Sequence, residues 1–147
     1  MLTKLMLLML LFSSFACADN GIIKIKSPYS VKQTTKNLVK LLKKKKMTLF
    51  KVINHKKGAK KVGQKMPAST VVIFGNPKIG TPLMNCAPSV AIDLPQKALI
   101  YQDQQGVVWY AYNNPNYLKQ RHNIKACDKI LAKISHALAN FAKGATK

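Results

Sequence analysis

Ser69-Thr-Val-Val-Ile-Phe74-Gly75-Asn76-Pro77-Lys78-Ile-Gly80-Thr81-Pro82-Leu-Met84 is the stretch on which the fold turns. Thr70 to Phe74 is a continuous β-branched and aromatic run, which predicts a central strand buried on both faces. Gly75-Asn76-Pro77 stops it, because the residue before a proline is pushed towards extended geometry. Gly80-Thr81-Pro82 then predicts a helix start, with Pro82 tolerated in the first turn. Leu83, Met84, Cys86 and Ala87 would face the sheet.

Working outward from this centre, strand and helix signals alternate. Gly21 to Lys26 reads as a first strand, ended by Ser27-Pro28. Ser30 is an N-cap type, followed by Val31, Thr34 or Thr35, Leu38 and Leu41/Leu42 at helical spacing. Met47 to Asn54 predicts a second strand, and His55 to Gly63 a short helix closed by its glycine. Lys97 to Tyr101 and Val107 to Tyr112 predict a hairpin across Asp103-Gln104-Gln105-Gly106. A short helix passes through Tyr117 and Leu118. Cys127, Ile130/Leu131, Ile134, Ala137/Leu138 and Phe141 mark one face of a last helix that Gly144 should end. The order β-α-β-α-β-α-β-β-α predicts an α+β domain. It would have a single mixed sheet of about five strands, with helices mainly on one face.

Composition bounds the rest. The chain has 147 residues, and 48% are apolar, enough for one domain with a real core. Lys and Arg number 25 against 4 acids, a net charge of +21. Arg121 is the sole arginine and glutamate is absent. Lysine is a hydrated point charge, whereas arginine grips phosphate or carboxylate bidentately. This balance suits loose attraction to an anionic surface and argues against specific nucleic-acid readout. Lysines that merely solubilise a face account for the charge equally well.

Residues 1–18 predict an export signal, with Lys4 as its positive region, Leu5 to Phe12 as its apolar run, and Ala16-Cys17-Ala18 as the cleavage box. A mature chain beginning at Asp19, periplasmic or secreted, follows. Lipidation of Cys17 is the alternative, weakened by Ser14 where a lipoprotein box wants an aliphatic residue. Residues 19–122 then form the main domain and 123–147 a C-terminal helix packed on it. Two cysteines remain, Cys86 and Cys127, which in an oxidising compartment suggest one disulfide. Two unpaired thiols packed as small hydrophobes are the competing reading.

From about Gly21 to His122 the sequence resembles the bacterial and archaeal domain-of-unknown-function family numbered 302. The words that carry the resemblance are Asn54-His55 with Ala59 and Gly63, Phe74-Gly75-Asn76-Pro77-Lys78 and Gly80-Thr81-Pro82-Leu83-Met84. Ala87-Pro88, Asp93-Leu94-Pro95, Trp109 with Tyr112-Asn113, and Arg121-His122 complete the set. The resemblance implies a compact α+β domain able to form dimers and no established reaction. Asn54 stands where that family usually has Asp, and Cys86 where a small apolar residue is usual.

His55, Asn76, Lys78, Thr81, Asp93, Tyr112 and His122 all fall at predicted strand ends or in the loops after them. Clefts gather at such ends in sheets with crossover helices, so these residues form the candidate ligand site. Their donors, acceptors and single cation suit a small anionic or carbonyl-bearing ligand. Asn76, Thr81 and Asp93 could equally be caps. No cofactor is expected, and His55, His122, His136 and Asp93 show no metal-site spacing. Three functions stand side by side. One is a non-catalytic binding domain for a small anionic ligand. Another is a cationic envelope factor binding anionic polymer or lipid headgroups through Lys36 to Lys46 and Lys56 to Lys61. The third is a hydrolase or isomerase using His55 or His122, with Asp93 as orienting partner.

Overall fold

The computed structural model describes residues 21–147. The expected export signal, its cleavage point and Cys17 lie outside the described residues. Strands β1 (Ile22–Ser27), β2 (Thr48–Asn54), β3 (Ser69–Gly75), β4 (Gln96–Gln102) and β5 (Val108–Asn113) alternate with helices. The helices are α1 (Val31–Lys44), α2 (His55–Lys61), α3 (Pro77–Cys86), α4 (Pro115–Arg121) and α5 (Asp128–Ala145), with a 3₁₀ turn at Pro88–Ile92. The α+β class, the five strands and their order agree with the sequence reading.

Side-chain caps fix the helix starts. The Ser30 hydroxyl accepts from the Gln33 amide, as its residue type predicts. Asn54, Asn76 and Asn114 cap α2, α3 and α4 in the same way. Asn76 starts α3 a turn earlier than Gly80-Thr81-Pro82 suggested, with Pro77 at the first helical position. Gly144 does not end α5. It leaves room for Leu41 instead, since a Cβ there would sit 2.7 Å from Leu41 Cδ2.

The sheet order is β1-β5-β4-β3-β2, and every neighbouring pair is antiparallel. The expected mixed sheet is therefore corrected. β1 and β2, joined by α1, lie at opposite edges and never pair. β3 is an interior strand, but only Thr70, Val72 and Phe74 are buried, while Val71 and Ile73 on the other face stay half-exposed. That corrects the expectation of burial on both faces. Antiparallel sheets can leave one face wet, whereas parallel ones with crossover helices rarely do.

The core lies between the sheet and helices α1 and α5. Leu38 and Leu42 of α1 are wholly buried, as are Val72, Phe74, Ile100 and Tyr110 of the sheet. From α5, Leu131, Ile134, Leu138 and Phe141 join them, so the C-terminal helix is a structural layer of the domain. Phe141 meets the edge of the Phe74 ring at 5.7 Å. The buried Thr34 hydroxyl lies 2.7 Å from Ser27 Oγ, so this polar position on the inner face of α1 is satisfied.

Candidate functional site

One end of the sheet carries a cavity of about 400 Å³, within the range of small-molecule pockets. It is bounded by the end of β3, the start of β4, α3 and α5. Met84, Leu94, Ile134, Phe141 and the half-exposed Phe50 give it apolar walls. Four polar side chains line it: Asn76, Thr81, Gln96 and Lys133. Gln96 is in register with Phe74, which places it on the helix-covered face of the sheet. Its Nε2 is buried and has no hydrogen-bond partner. Buried amides normally find a partner, and one left alone costs roughly 1–3 kcal/mol. Lys133, on the exposed side of α5, adds a cation to the lining.

The structure gathers only part of the expected constellation. β2 and β3 are antiparallel, with Thr48 opposite Gly75 and Asn54 opposite Thr70. His55, the first residue of α2, therefore lies beyond one end of β3, and Lys78 beyond the other. The strand between them is about 20 Å long at roughly 3.3 Å per residue. The convergence of all seven residues required parallel delivery and is corrected on this point. Asn76 and Thr81 do line the cavity, although Asn76 also serves as the α3 cap. Lys78 is exposed in the first turn of α3 and is not part of the lining. Tyr112 is a core residue at the edge of the Tyr110 ring, and burial raises the pKa of its phenol.

Asp93 and His122 do meet. His122 Nε2 lies 2.6 Å from Asp93 Oδ2, and Nδ1 lies 3.0 Å from Ser89 Oγ. Arg121 Nη1 reaches Asp93 Oδ1 at 3.4 Å. With Nε2–H donating to the carboxylate, Nδ1 of the neutral ring accepts from the serine hydroxyl. This is the order of groups that activates a serine nucleophile. It equally ties the 3₁₀ turn to the end of α4. Ser89 is exposed and outside the cavity, whereas Ala91 and Leu94, which flank Asp93, line the cavity wall.

Cys86 and Cys127 come together at a Cα separation of 6.5 Å, a spacing a disulfide spans. Among the described residues, no three His, Cys, Asp or Glu side chains form a metal set. Gln96 and Lys133 were missed from sequence. Gln96 had a legible signal: Gln96, Ala98 and Ile100 alternate on one strand face, so an amide occupies a core register position. Lys133 had none, since lysines are abundant throughout.

A five-stranded antiparallel sheet backed by helices, with a mostly apolar side cavity, defines a small α+β domain. Residues 23–141 match the family described as Domain of unknown function DUF302, and the chain belongs to that family. The match includes most of α5. A crystal structure of an uncharacterized conserved DUF302 protein from Bacillus stearothermophilus has the same fold. Its TM-score is 0.77 at 19% identity, covering 87% of this chain and 99% of that one. The chain is also similar to Fluoride-specific ion channel FluC 1 of Brucella suis biovar 1 (strain 1330), 37% identical over 106 residues. That alignment covers 72% of this chain and 42% of the relative. Fluoride-specific ion channel FluC 2 of Brucella melitensis biotype 1 is likewise 37% identical over 106 residues, with 39% of its length covered. The chain thus spans well under half the length of these relatives.

Proposed function

We propose that this protein is a non-catalytic binding domain whose cavity takes a small anionic amphiphile. The observation that carries the proposal is the unpartnered Gln96 Nε2 beside a mostly apolar cavity. An apolar ligand body would fill the space against Met84, Leu94 and Phe141. An oxygen acceptor on the ligand would satisfy Gln96, and a carboxylate or phosphate would favour Lys133. Ser89, His122 and Asp93 supply a nucleophile geometry, but Ser89 is exposed and does not line the cavity, so the cavity supports binding better than hydrolysis.

The leader-like residues 1–18 and the paired cysteines support a domain that works outside the cytoplasm. Similarity to proteins named as fluoride channels supports a role beside a membrane protein. Among the described residues no helix is long and apolar enough to cross a membrane. A bare fluoride ion would need several donors, and these walls are mostly apolar.

Decanoate, decanol and fluoride, titrated separately while melting temperature is followed, test the proposal. Decanoate should raise the melting temperature of the native chain by several degrees, because a ligand that binds only the folded state stabilises it. Decanol should do less and fluoride nothing. Ala137→Trp, which fills the cavity, should abolish the shift. Gln96→Leu should weaken decanoate binding about tenfold, the loss of roughly one hydrogen bond to a charged group. An equal decanoate response in Ala137→Trp and native protein would refute the cavity as the site.

A further inference from the structure

We propose that the β2–α2 edge of the sheet is a docking surface for an anionic phospholipid bilayer. This does not depend on what fills the cavity. The chain has no acid between residues 20 and 92, and ten lysines fall between residues 43 and 65. These lysines lie at the end of α1, on β2, along α2 and in the turn after it, and all are exposed. The described acids are engaged elsewhere: Asp93 with Arg121 and His122, Asp103 with Trp109, and Asp128 with Lys119. Among the described residues the basic edge therefore has no acidic side chain to pair with.

Apolar side chains stand among these lysines. β2 is an edge strand, yet Phe50, Val52 and Ile53 are all exposed on it, Phe50 by 50%. Val62, just after α2, is 72% exposed, and Met66 is exposed near it. Proteins usually blunt a sheet edge with charge, and Lys51 fits that role; exposed Phe, Val and Ile on the same strand do not. Grouped exposed apolar residues mark an interaction surface.

The charge selects the partner. A second copy pairing edge to edge would set ten lysines against ten, which like-charge repulsion opposes. A soluble polyanion would satisfy the ammonium groups and leave Val62 and Phe50 in water. An anionic bilayer provides both headgroup phosphates for the lysines and an acyl boundary for shallow apolar insertion.

The test uses the full chain as processed by the producing cell. Partition would be measured onto phosphatidylcholine vesicles, onto phosphatidylcholine vesicles containing phosphatidylglycerol, and onto soluble polyglutamate. Binding to the anionic vesicles should exceed binding to neutral ones at least tenfold and weaken with salt. Changing Lys56, Lys57, Lys60 and Lys61 together to Gln should lower partition by about 100-fold or more, at several-fold per lysine. Val62→Asn, which removes the apolar side chain without changing the charge, should lower vesicle binding several-fold, leave polyglutamate binding nearly unchanged, and keep the melting temperature, since Val62 is outside the core. Val62→Trp should show blue-shifted emission on anionic vesicles. Vesicle binding indifferent to Val62→Asn, or Val62→Trp emission unmoved by vesicles, would overturn the proposal in favour of a polymer or of simple solubilising charge. Phe50 borders the cavity and is left unchanged, so decanoate binding should persist in every variant and the two proposals fail separately.

Discussion

The imidazole of His122 and the carboxylate of Asp93 meet at 2.6 Å, joining the end of α4 to the turn that precedes β4. The His122 side chain is nearly buried, so removing either partner leaves a polar group with little access to water. His122→Ala should lower stability by about 2–3 kcal/mol, with a coupling to Asp93→Asn of about 1–2 kcal/mol in a double-mutant cycle. Denaturant unfolding measures both. A fluorophosphonate that modified Ser89 in the native chain but not in His122→Ala would move the function towards hydrolysis instead.

Asp103 holds the β4–β5 turn. Its carboxylate accepts from the Trp109 indole N–H at 2.7 Å and from the Val107 and Gln105 amides. The indole hydrogen bond leads in holding its pKa below the ordinary carboxylate value, with the backbone bonds and Lys24 helping and partial burial opposing. A depressed folded-state pKa means that the unfolded chain takes up the proton first. The stabilisation is thus present above the ordinary carboxylate range and is lost as pH falls through the folded value. Asp103→Asn should therefore be less stable than the native chain at pH 6, and the gap should narrow on acidification towards pH 2. A gap that stayed constant with pH would contradict this assignment.

Tyr110 is wholly buried in the core, and its hydroxyl has no hydrogen-bond partner. Burial also pushes its phenol pKa far upward. An unpaired buried hydroxyl is a cost, so Tyr110→Phe should be neutral or stabilising by about 1 kcal/mol. A loss of more than about 1 kcal/mol would reveal a partner such as a buried water.

Cys86 and Cys127 are separated by 41 positions in sequence. Closing a loop of that size should stabilise the fold by about 4 kcal/mol on the chain-entropy account. The processed protein should therefore show no free thiol under denaturing, non-reducing conditions, and reductant should lower its melting midpoint. Two titratable thiols in freshly isolated protein would remove the bridge and leave both cysteines as packing residues.

Much of this architecture was readable before any coordinates, and the reasons are local. The β-branched and aromatic run from Thr70 to Phe74, the helical spacing of Leu38 and Leu42, and the Ser30 cap before α1 each act within a few residues. α3 starts at Pro77 and not at Gly80, because the Asn76 side chain caps it directly after β3. The candidate site was legible only in pieces. Asn76 and Thr81 reached the cavity, Asp93 and His122 met each other, and Tyr112 belonged to the core.

By itself the sequence determined which segments are strands and helices, where most of them begin, and that one region is basic and free of acids. The tertiary structure alone decided that the strands run antiparallel, that His55 and Lys78 stand at opposite ends of β3, and that Gln96 borders a cavity without a partner. Backbone propensities and caps act over a single turn or a few pleats. Strand order and direction instead come from hydrogen bonds between segments tens of residues apart, which no local pattern specifies.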